Sequence, residues 1–104
     1  MDYRFEYDSR LGIALPVLSH EWEQYAPALQ DAILVEWEQI RGVIPDRVKE
    51  IEQQINLYQQ QLEVEEDFNR SCELNRQIAE LASVINDLWI WFRANQTMPE
   101  RMHS

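Results

Sequence analysis

The run Leu88-Trp89-Ile90-Trp91-Phe92 constrains the fold of this chain more than any other feature. It closes a longer stretch, 74–93, in which Leu74, Ile78, Leu81, Ile85, Leu88 and Phe92 step by four and three. That spacing presses one stripe of a helix against one partner. Five apolar residues in succession do something else. At about 100° per residue they point to every side of the helix, so a single neighbouring helix cannot cover them.

The first partner lies upstream. Val48, Ile51, Ile55, Tyr58 and Leu62 follow one another at steps of three, four, three and four, a heptad seam with Glu, Gln, Lys and Asn outside it. Extended further, that seam lands on Glu65 or Glu66 and then Asn69, all polar, and the second seam starts afresh at Leu74. Glu63, Glu65, Glu66 and Asp67 crowd the break, and Asp67 can cap a helix beginning at Phe68. The spacing predicts a long antiparallel αα-hairpin, about 46–64 and 68–94; the alternative is one continuous helix. Folding the hairpin sets Leu62 against Phe68 or Cys72, Tyr58 against Leu74, Ile55 against Ile78, Ile51 against Leu81 and Val48 against Ile85. The second helix then overhangs by about eight residues, or ~12 Å. The overhang is the aromatic cluster, and residues 1–44 are what remains to wrap it and shield Trp89 and Trp91.

In those residues Tyr3, Phe5 and Tyr7 alternate with Arg4 and Glu6, the period of a strand with one buried face. Leu11, Ile13 and Leu15 alternate in the same way up to Pro16, so a small β-hairpin or an extended arm is expected. Ser19 is placed to cap a short helix ending at Tyr25. Pro27 opens a further helix running to Arg41, with Gly42 in the left-handed cap position. Asp46 is positioned to cap the next helix, from Arg47. Ile33-Leu34-Val35 fans over some 200° of arc, which implies cover from more than one side. The tetrapeptide Glu-Trp-Glu-Gln occurs at 21–24 and at 36–39, too short to be a structural repeat. It reads as a tryptophan turned inward and glutamates turned to water, twice. At the other end Asn95 suits the last cap. The chain reads as a single domain over 1–97 with a disordered tail at 98–104.

The charge narrows the functional classes. Nineteen acids against nine bases give a net charge of −10, which repels phosphate backbones and anionic lipid. Neither nucleic acid nor membrane is expected as a partner. No apolar run approaches the ~20 residues of a membrane span, and the N-terminal residues lack the shape of a signal peptide. A cytoplasmic protein is the expectation. Cys72, the one cysteine, has no second cysteine to pair with and is expected as a buried thiol opposite Leu62.

Groups able to converge on a reaction are scarce. There is no glycine-rich phosphate loop, no Gly-x-Ser-x-Gly and no cluster of cysteine and histidine ligands. The histidines are His20 and His103 alone. Glu100 and His103 spell Glu-x-x-His once, whereas di-iron bundles use that pair twice with two further glutamates. The acids at 63–67 lack the glycine and alternating oxygen ligands of a calcium loop. No enzyme activity, metal or cofactor is expected. The reading is a non-enzymatic protein-protein interaction protein, an adaptor or regulator, with an acidic tip at Glu63, Glu65, Glu66 and Asp67. The alternative is an acidic decoy occupying the basic groove of a nucleic-acid-binding protein; a metal-binding or catalytic bundle rests on no constellation. The wide apolar arc of helix 27–41 further suggests a two-fold homodimer through Leu34, Val35 and Trp37.

Overall fold

The computed structural model describes residues 2–94. The expectations for Asn95, Glu100, His103 and the tail lie outside the described residues. The elements in order are β1 (Tyr3–Asp8), β2 (Ile13–Leu18), a single 3-10 turn (Trp22–Gln24), α1 (Pro27–Arg41), α2 (Ile44–Val64) and α3 (Phe68–Arg93). The fold is mainly helical, a long antiparallel hairpin of α2 and α3 packed with α1 and a small antiparallel β-hairpin. The described chain measures 59 × 22 × 21 Å, and α3 alone accounts for about 39 Å of helix.

The β-hairpin pairs Tyr3 with Leu18 through Asp8 with Ile13. Its second strand runs through Pro16 and does not end there. Ser19 donates its N–H to the Asp2 carbonyl at 3.1 Å, and hydrogen-bonded pairs alternate along an antiparallel ladder. Pro16, opposite Phe5, therefore falls at a non-bonded pair, where its missing N–H removes nothing from the ladder. The same contact corrects the role given to Ser19. It ties the strand ends together, its hydroxyl also donating to the Asp2 carbonyl at 2.6 Å, and Glu21 with Gln24 forms the capping box of the 3-10 turn instead.

Pro27 opens α1 and the helix ends at Arg41. Gly42 departs from expectation: its φ of −64° and ψ of −21° are right-handed, and Val43 follows at −91° and −7°. Helical winding thus continues almost unbroken from α1 into α2, and the two make one long bent helix. Pro45 accounts for the bend, because its ring would meet the Arg41 carbonyl in a straight helix. For the same reason α2 starts at Ile44 with Asp46 in its first turn, so Asp46 does not cap it.

Two apolar clusters hold these pieces together. In the larger, Leu11, Ile13 and Trp37 join Ile44, Val48, Ile51, Val84 and Leu88. In the smaller, Trp22, Tyr25 and Ile33 pack with Tyr3, Phe5, Leu18 and Leu29. Both tryptophans of the repeated tetrapeptide are inside, and their flanking glutamates are exposed. Val84, absent from the predicted seam, is buried, whereas Ile78, Leu81 and Ile85 are half-buried. Near the base α3 faces three neighbours, and the stripe from Val84 to Leu88 turns toward the β-hairpin and α1. Trp89 and Trp91 are half-buried, not enclosed; the enclosed tryptophan is Trp37, whose ring meets Trp91 at 5.6 Å edge to face. The arc of α1 is narrower than Ile33-Leu34-Val35 suggested, since Val35 and Ala32 are exposed.

A candidate docking surface at the hairpin tip

The far end of the helical hairpin is a three-residue turn, Glu65–Asp67. It needs no glycine because Glu65 (φ −78°, ψ 124°) and Asp67 (φ −80°, ψ 122°) reverse the chain with extended backbone. Asp67 caps α3 by accepting the Arg70 N–H at 2.8 Å, a negative charge at the positive end of the helix dipole. Glu65 accepts the Asp67 N–H at 3.3 Å and lies 4.0 Å from the Arg70 guanidinium. Arg70 also donates to Gln61 Oε1 at 3.3 Å, lacing α3 to α2 across the turn. Two of the four acids thus build the tip. The other two, Glu63 and Glu66, are exposed and make no ion pair among the described residues.

Beside the acids stand two large apolar side chains that no other described residue covers. Val64 is 78% exposed and Phe68 77%. Leu57, two turns back along α2, is also exposed. Neither Phe68 nor Cys72, the residues expected opposite Leu62, is buried. Counted back from Leu74, the inward position one turn earlier is Ser71, which is half-buried, whereas Cys72 stands about 200° around the helix from Leu74. Cys72 is exposed. Fully covering a side chain such as Val64 or Phe68 is worth about 1.5–3 kcal/mol each. The tip therefore offers an apolar anchor ringed by negative charge, on the rigid end of two braced helices.

The residues suggested for self-association are separated by the fold. Trp37 is wholly buried, Leu34 is half-buried against both clusters, and Val35 is 61% exposed. His20 is exposed, its Nε2 3.5 Å from Asp2. Among the described residues no group of three or more histidine, cysteine or acidic side chains is arranged to hold a metal ion.

A second polar constellation, invisible in the local pattern, fixes the opposite end. Arg10, in the β-hairpin loop, donates to Glu80 at 2.9 Å, to Ser83 Oγ at 2.9 Å and to Asp87 at 2.8 Å, all on one face of α3. Asp87 first, and then Glu80, raise the guanidinium pKa above its ordinary value. From the other side Arg47 of α2 donates to the Leu11 carbonyl at 2.9 Å. Gly12 makes this approach possible: its φ is +78°, and a Cβ there would lie 2.4 Å from Arg47 Nε. The loop is thereby clamped between α2 and α3 with Leu11 buried beneath it.

Comparison with protein-family models, with curated proteins and with solved structures returns no match. Among the described residues no helix is long and apolar enough to cross a membrane.

Proposed function

We propose that the protein is a non-enzymatic interaction module, an adaptor or regulator, that engages another protein through the tip of its helical hairpin. The observation that carries this reading is the pair Val64 and Phe68, each more than three-quarters exposed, set among Glu63, Glu66 and Asp67. Apolar side chains on a surface of this kind gain most from a partner that covers them, and the surrounding charge selects a basic one. A cytoplasmic setting belongs to the same proposal, supported by the exposed unpaired Cys72.

A photo-crosslinking residue at position 68, with a second at the exposed outer position 52 as control, tests the reading in the native cell. One partner should be captured from position 68 and not from 52, and in the chain without a crosslinking residue Phe68→Asp should abolish its co-purification. Equal capture at both positions, or none, refutes a tip-directed interaction. A salt titration of the non-covalent complex formed with that partner separates the acidic-decoy alternative. Binding to a basic nucleic-acid groove weakens steeply with ionic strength, whereas a complex anchored by Val64 and Phe68 keeps most of its affinity.

Self-association through α1 remains part of the proposal, supported now by Val35 rather than Trp37. Light scattering decides it. A monomer at micromolar concentration removes it, and a dimer unaffected by Val35→Glu places the contact elsewhere.

A further inference from the structure

At the opposite end of α3 from the tip, about 35 Å away along the helix, a groove of about 230 Å³ opens between the β-hairpin and Trp91. We infer that this groove binds the guanidinium of an arginine side chain presented by a partner protein. Its walls combine two carboxylates with the Trp91 ring. Glu6 and Asp8 lie on one face of β1, about 7 Å apart along the strand, with Leu15 and Val17 of β2 opposite and beside them. The backbone of Tyr7 between the two acids, Pro16 and the Trp91 ring complete it.

Each component suits a flat cation. The Trp91 ring is held from behind by its edge-to-face contact with Trp37, so an incoming group meets an aromatic surface already in place. A guanidinium stacks on such a face and forks toward carboxylates, which an ammonium does less well. One oxygen of Asp8 accepts the Leu11 N–H at 2.9 Å, leaving the second for a guest. Glu6 pairs with Arg4, but both side chains are more than half exposed, and exposed pairs of this kind are weak enough to be exchanged.

The same features exclude other occupants. The groove is smaller than the ~300–1,000 Å³ of pockets for drug-sized ligands. Its carboxylates repel phosphate and carboxylate groups. A single aromatic ring in an open groove does not form the enclosing cage that a quaternary ammonium requires. The net charge of −10 draws a basic segment toward the molecule from a distance. The inference is independent of the tip, which shares no residue with the groove.

The test is amide and indole NMR of the full chain titrated with N-acetyl-arginine amide, and separately with N-acetyl-lysine amide at equal ionic strength. Arginine should give saturable shifts at the Trp91 indole N–H and the Tyr7 amide, with millimolar affinity, and bind at least about threefold tighter than lysine. Glu6→Gln, at an exposed position that leaves the fold intact, should weaken arginine binding about threefold. No saturable shift at Trp91, equal affinity for lysine, or indifference to Glu6→Gln each overturns the assignment. Shifts confined to Phe68 and its neighbours would overturn it too, while leaving the tip reading untouched.

Discussion

At the base of the molecule α3 runs between α2, α1 and the β-hairpin, and Leu88 is completely enclosed; at the tip the same helix meets α2 alone, and Phe68 is open to water. The base contains Ile33, Trp37, Ile44 and Leu88, none of them exposed at all, and the tip half of the hairpin contains only Leu74 in that class. Two helices side by side can each hide one stripe. A third layer is what hides a whole circumference. The difference separates two tasks that would conflict if they shared one region: burial that holds the chain together, and exposure that leaves apolar side chains free to dock.

Trp37 tests the base most severely. Trp37→Ala should cost about 3–5 kcal/mol, a large part of a small domain's stability, read as a fall in the urea midpoint. Among the described residues its buried indole N–H has no hydrogen-bond partner, and an unsatisfied buried donor costs about 1–3 kcal/mol. Trp37→Phe should therefore be far milder than alanine. Equal losses would mean the indole N–H is satisfied after all.

A matched pair sharpens the contrast along α2. Ile51 is buried in the larger cluster, and Leu62 near the tip is half-buried. Ile51→Ala should cost about 2–5 kcal/mol, and Leu62→Ala clearly less under the same denaturation. If Leu62 matters as much as Ile51, stability is spread along the hairpin and the division fails.

Gly12→Ala should be next in size. The alanine meets both a left-handed φ and the Arg47 guanidinium, so a loss of more than about 1 kcal/mol is expected. Arg47→Ala in the same chain should recover part of it, by removing the clash but not the strain. Full recovery would assign the whole effect to the side-chain contact.

The smallest expected effect is at the tip itself. Val64→Ser and Phe68→Asp should change stability by no more than about 0.5 kcal/mol, while abolishing partner capture. A large loss of stability would place these side chains in a core contact and undo the separation of the two ends.

The parts of the fold that rest on neighbours in sequence were legible beforehand. The out-of-phase seams at Leu62 and Leu74 announced two helices, and Asp67 was recognisable as the cap between them, because helix period and capping are local properties. Pro27 fixed the start of α1 for the same reason. Gly42 and Asp46 misled because Pro45 bends the helix without ending it, so no cap is needed at either residue. Val84 was missed because a stripe counted from one partner ignores a second one. The Arg10 contacts with Glu80 and Asp87 join residues 70 and 77 apart, and no periodicity reports such a pairing. The acids of the tip were visible in the sequence. The exposure of Val64 and Phe68 was not, since their apolar character alone argues for burial.

The clamp at Arg10 also bears on the order in which the molecule assembles. A three-residue turn brings α2 and α3 together at little entropic cost, whereas seating the loop on α3 must wait for ends separated by most of the chain to meet. The helical hairpin should thus be present in the rate-limiting barrier, and the β-hairpin should seat after it. In stopped-flow chevrons Arg10→Ala would then leave the refolding arm unchanged and steepen escape from the native state by raising the unfolding rate alone. A slowed refolding arm would show that the loop docks before the barrier is crossed. Seated last, the N-terminal strands are also first to leave, and their departure would uncover Val84 and Leu88 while α2 and α3 still stood paired.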